Sequence, residues 1–102
     1  MENIKVGRID DIKKKRIIHL THNNKEIMVV DVNGNIYAIS DICTHAGANL
    51  HEGRLDGNKV ICPWHSAVWD VTNGKLIEFP VKLKELESYK VSIRDGVVYI
   101  SI

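Results

Sequence analysis

The sequence predicts an all-β, antiparallel fold of the sandwich or barrel kind. Turn dipeptides recur at short intervals, at Asn23-Asn24, Asn33-Gly34, Asp56-Gly57, Asn73-Gly74 and Asp95-Gly96, each a pair that tolerates the backbone of a tight hairpin. The segments between them have strand length and β-type composition. Helical periodicity is poor throughout.

The elements follow in order. Residues 16–20 and 25–32 are expected to pair across the Asn-Asn turn, and residues 35–40 to return across Asn33-Gly34. Residues 59–62, 68–71 and 75–78 are shorter strand candidates. Near the end, Tyr89, Val91 and Ile93 alternate with Lys90, Ser92 and Arg94, the period of a half-buried strand. Residues 97–102 are its hairpin partner. Residues 82–87 could form one helical turn, but Pro80 precedes them and β-like sequence follows. The basic run Lys13-Lys14-Lys15-Arg16 reads as a solvated loop or strand edge.

With 102 residues, the chain suits one domain, 1–102. A net charge of +1 gives no sign of a nucleic-acid or membrane partner. The N-terminus shows no apolar core of a secretory signal, and the run Ile27-Met28-Val29-Val30 is far too short to span a bilayer. A cytoplasmic location is the expectation. In such a compartment two cysteines act as thiols or metal ligands more often than as a structural disulfide.

Chemistry concentrates between residues 41 and 70. This stretch holds both cysteines, both tryptophans and three histidines, His45, His51 and His65. It reads as a small subdomain inserted in an all-β base. Cys43-x-His45 and Cys62-x-x-His65 each pair one thiolate with one imidazole. A single zinc ion is one possible occupant, but zinc sites usually group Cys with Cys and His with His. A binuclear cluster explains the mixing: each loop gives its cysteine to one iron and its histidine to the other. Two histidines replacing two cysteines on one iron is the ligand set of a Rieske centre.

The motifs make that resemblance specific. Cys43-Thr44-His45-Ala46-Gly47-Ala48-Asn49-Leu50 resembles the first Rieske loop, and Cys62-Pro63-Trp64-His65-Ser66-Ala67-Val68-Trp69-Asp70 the second. The likeness extends through Gly53 and Asn73-Gly74 to Pro80, and is strongest to small soluble Rieske ferredoxins of aromatic-ring dioxygenase systems. It implies an antiparallel Rieske-like β-sandwich whose cluster-binding subdomain spans about residues 41–70. It also implies one [2Fe–2S] cluster on Cys43, His45, Cys62 and His65. The chain would then be an electron carrier, not an enzyme, working between a ferredoxin reductase and a terminal oxygenase or similar acceptor. Two ferric ions, two sulfides and two thiolates sum to zero charge, so adding an electron is easier than with four thiolates.

Other residues carry weaker signals. Gly47 and Gly53 suit tight turns or close backbone approach. Trp64 could shield the site, Trp69 reads as core, and Pro80 as either a covering loop or an ordinary turn. His51 reads as a surface histidine near the first loop, while His19 and His22 carry no signal. Rieske proteins of cytochrome bc complexes add a disulfide between the loops and hydroxyls near the cluster. The corresponding positions here are Ala48 and Trp64, and Ala67 and Trp69, which argues against quinol oxidation. Alternatives are a small Rieske-fold subunit of a larger oxidoreductase such as a nitrite reductase, and a zinc-stabilised interaction module.

Overall fold

Asparagine and glycine set the hairpins. Asn23 and Asn24 adopt φ of 48° and 65°, and Asn33 and Gly34 adopt 51° and 91°, the left-handed values that two-residue hairpin turns demand. They join β2 (Ile17–His22), β3 (Lys25–Val32) and β4 (Asn35–Ser40). Asp95 and Gly96, at 51° and 74°, do the same between β9 (Ser88–Arg94) and β10 (Val97–Ser101). In this computed structural model the described residues are 3–43, 47–64 and 66–102.

With β1 (Asn3–Arg8), these strands form a six-stranded antiparallel sheet of order β1-β10-β9-β4-β3-β2. Strand β3, second from one edge, is buried on both faces, which is why Ile27 to Val30 reads as an unbroken apolar run. Ile27 and Val29 pack with Ile12, Ile36, Ala38, Val98 and Ile100. Met28, Val30 and Val32 face the opposite way, into a cluster containing Cys43, Cys62 and Trp69.

That second cluster is covered by a four-stranded sheet inserted between β4 and β9. Its strands are β5 (Arg54–Asp56), β6 (Lys59–Ile61), β7 (Val68–Asp70) and β8 (Leu76–Glu78), paired in that order. The architecture is the antiparallel β-sandwich with an insertion that the sequence predicts. The insertion's sheet continues past residue 70 to Glu78.

One local expectation is corrected. The basic run is not a loop or strand edge: Lys13, Lys14 and Lys15 form the last turn of α1 (Ile9–Lys15), with Asp10 and Asp11 in its first turn. This charge order complements the helix dipole, and Ile12, fully buried, anchors the helix. Residues 82–87 form no helix; there the Leu86 amide donates to the Gly74 carbonyl at 2.9 Å. Because Gly74 has an amide so bonded against it, a Cβ at that position would lie 2.3 Å from the Leu86 carbonyl oxygen.

Candidate metal centre

Each cysteine sits at the head of a closed turn, and the two turns match. In the first, the Cys43 amide donates to the Ala48 carbonyl at 2.9 Å, and the Gly47 amide donates to the Cys43 carbonyl at 2.9 Å. In the second, the Cys62 amide donates to the Ala67 carbonyl at 2.8 Å, and the Ser66 amide donates to the Cys62 carbonyl at 3.2 Å. The fourth residue after each cysteine is left-handed, Gly47 at φ 76° and Ser66 at φ 60°. The fifth is a fully buried alanine, Ala48 or Ala67.

Short strands brace both turns. The first is closed by an antiparallel bridge between Ile42 and Asn49. The second spans the β6–β7 hairpin, where Ile61 pairs with Val68. The first loop leaves through a 3₁₀ turn, Leu50–Glu52, capped when the Gly53 amide donates to the Leu50 carbonyl at 2.9 Å. Gly47 serves the turn with its left-handed backbone, and Gly53 allows a close approach, since a Cβ there would strike the Ile61 carbonyl oxygen; these are the two uses that residue type suggested.

Cys43 is 0% and Cys62 2% exposed, and both belong to one apolar cluster. His45 and His65, with Thr44 and Ala46, lie outside the described residues. Trp64, beside Cys62, is 60% exposed, so it projects from the loop and does not pack in the core. Trp69 is core, fully buried among the same side chains as the cysteines.

Trp69 carries one feature that its residue type alone does not reveal. Its Nε1 is the one buried side-chain nitrogen or oxygen among the described residues without a hydrogen-bond partner. Leaving such a donor unsatisfied costs about 1–3 kcal/mol. An iron–sulfur cluster fits this arrangement: two buried thiols are soft donors for iron, and its sulfurs are acceptors for an otherwise idle N–H.

A family model described as the Rieske [2Fe-2S] domain matches residues 2–90. The ferredoxin component of the naphthalene 1,2-dioxygenase/salicylate 5-hydroxylase systems of Ralstonia sp is 36% identical over 87 residues, 85% of this chain and 83% of that protein. The ferredoxin of carbazole 1,9a-dioxygenase from Nocardioides aromaticivorans IC177 superposes with a TM-score of 0.90 at 26% identity, covering 99% of this chain and 98% of that one. A chain in the complex of reduced oxygenase and oxidized ferredoxin in carbazole 1,9a-dioxygenase gives a TM-score of 0.90 at 30% identity, covering 97% of this chain and 92% of that one. Matched cysteine turns, a fold shared along almost its whole length and a family model spanning most of its residues place this chain in the Rieske [2Fe–2S] domain family.

Proposed function

We propose that the chain is a one-electron carrier, a Rieske ferredoxin moving electrons from a reductase to a terminal oxygenase or similar acceptor. Cys43 and Cys62 would hold one iron of a single [2Fe–2S] cluster, and His45 and His65 the other. The pairing of two buried cysteines at the heads of matched turns carries this reading. Its relatives support it, since they are ferredoxin components of dioxygenase systems, and a similar ferredoxin is known in complex with its oxygenase.

When bound, the cluster supplies a one-electron couple raised by its two neutral ligands. The chain's own residues set its surroundings. Ala48 and Ala67 seal the inner side without adding polar groups, and the apolar cluster keeps water from the thiolates. The exposed indole of Trp64 offers an apolar contact beside the second loop, suited to transient docking of a redox partner. No described helix is long and apolar enough to cross a membrane. The proposal places the carrier in the cytoplasm, with substrate chemistry left to its partner.

Iron and acid-labile sulfide analysis, with electron paramagnetic resonance before and after dithionite, tests the reading. The expected content is two irons and two sulfides per chain, with a Rieske signal appearing on reduction. His45→Ala and His65→Ala should each abolish that signal. A colourless protein holding one zinc ion would overturn the assignment.

A further inference from the structure

Asp41 is the one fully buried charged side chain among the described residues. It follows β4 and sits at the root of the first cysteine loop, where its carbonyl accepts from the Leu50 amide at 2.6 Å. Its carboxylate divides its work. Oδ1 accepts from the His51 amide at 2.7 Å. Oδ2 accepts from the Asn49 side-chain amide at 2.8 Å, lies 2.6 Å from His51 Nδ1, and lies 3.6 Å from His19 Nε2. Among the described residues its ion-pair partners are these two imidazoles, with no lysine or arginine.

The two histidines come from distant parts of the chain, His19 on β2 and His51 on the 3₁₀ turn. Their rings stack at 4.3 Å between centroids, with planes 8° apart. Glu26 closes the group from β3. Its Oε1 lies 3.2 Å from His19 Nε2 and accepts from the Asn49 amide at 3.0 Å.

We propose that His19, Asp41 and His51 form a second metal site, separate from the cysteine loops, for a divalent transition ion such as Zn²⁺. The three donor atoms lie within 4.8 Å of one another. Two imidazoles and a carboxylate are a common zinc set, with bonds of about 2.0–2.2 Å that place tetrahedral ligand atoms roughly 3.3 Å apart. The 2.6 Å and 3.6 Å separations of the carboxylate oxygen from the two ring nitrogens bracket that spacing. Because a metal lies in the plane of each imidazole it binds and these rings stack 8° from parallel, one ring must rotate to bring both nitrogens onto one ion. The shorter contact holds a proton between His51 Nδ1 and Asp41. Zinc would take that position on Nδ1, with the ring's proton carried on Nε2 instead.

A plain buried His–Asp pair needs one ring. Here a second ring brings its own nitrogen to the same oxygen, while both rings stay 29% exposed. That opening provides an entry path and room for a fourth ligand, either water or Glu26. Asn49 orients both carboxylates, the supporting role that outer partners play around metal ligands. Bound zinc would tie β2 to the base of the first cysteine loop.

The test is calorimetric titration of the oxidised, cluster-loaded full chain with Zn²⁺, followed by desalting and metal analysis. The expected result is one zinc per chain in addition to the cluster iron. His19→Gln and His51→Gln should each weaken binding by at least about tenfold, the lower bound for losing even an outer partner of a ligand. His22→Gln, on the same strand, should leave it unchanged. Circular dichroism and thermal melts of each variant establish that the fold persists. If the His51→Gln chain fails to fold, the His19→Gln chain alone decides. Absence of zinc uptake by the native chain would overturn the proposal. So would uptake unchanged in the histidine variants, since that zinc would sit elsewhere, for example on the cysteines.

Discussion

Gly53 passes so close to Ile61 that a Cβ at position 53 would lie 2.0 Å from the Ile61 carbonyl oxygen. The contact joins the exit of the first loop to the strand that ends immediately before Cys62. Arg54 also pairs with Ile61, so the two backbones cannot separate without breaking the β5–β6 ladder. Gly53→Ala should therefore destabilise the protein by about 1–3 kcal/mol, the usual range for forced overpacking. Gly57 has left-handed φ of 60° but open space around it. Gly57→Ala meets only the backbone penalty of about 1–2 kcal/mol. Urea unfolding of the two variants checks both values. Equal stability of Gly53→Ala and native protein would show that the backbones are not held as described.

Arg16 ends α1 in a conformation that glycine prefers, with φ 68° and ψ −34°. Its amide donates to the Ile12 carbonyl at 2.7 Å and its carbonyl accepts from Asp31 at 2.9 Å, so the backbone is held there from both sides. The side chain is exposed. Arg16→Gly relieves the strain and costs some unfolded-state entropy, for a net gain of about 0.5–1 kcal/mol. A thermal melt should rise by a few degrees. A lower melting temperature would show that the arginine side chain contributes more than its backbone strain costs.

Tyr89 donates its hydroxyl to Glu87 Oε2 at 3.2 Å. Burial first, then the Glu87 charge and this hydrogen bond, push its phenol from 10.0 up to about 12. The folded value is the higher one. Its contribution to stability is therefore complete below about pH 10, the unfolded value. It is lost as pH rises through about 12. Ultraviolet titration of tyrosinate should show one late phase that Tyr89→Phe removes and Glu87→Gln moves down. Simultaneous ionisation of all tyrosines in the native protein would contradict this.

The sequence made legible what depends on residue type at short range. The bounds of β3 follow from asparagine turns on either side, and the start of β4 from the second of them; the paired Cys and His motifs point toward the Rieske family that the domain match shows. What it concealed depends on brevity or distance. The helix α1 has seven residues and one fully buried side chain, Ile12, too few for a helical period to show. β5 has only three residues. The match between the two cysteine turns is hidden because Ser66, unlike Gly47, does not advertise a left-handed backbone. His19 and His51 are 4.3 Å apart only because the order of β2, β3 and β4 brings them together. No local pattern connects them.

The last prediction concerns reduction potential. Donors to cluster sulfurs favour the reduced state, because reduction adds negative charge there. Ala67 offers no hydroxyl, so the expected midpoint lies toward the lower end of the Rieske range of roughly −150 to +300 mV. Trp69 lacks a hydroxyl too, yet its buried N–H has no partner among the described residues. Trp69→Phe keeps an aromatic ring in the core and removes that donor. If the N–H faces a cluster sulfur, about 1 kcal/mol of differential hydrogen bonding corresponds to a fall of roughly 40 mV. Ala67→Ser should shift the midpoint the other way if its hydroxyl reaches a sulfur. Potentiometric titration near neutral pH measures all three proteins. An unchanged midpoint in Trp69→Phe would assign the indole to packing alone. A native midpoint near the upper limit would mean that backbone donors, not side-chain hydroxyls, control this cluster.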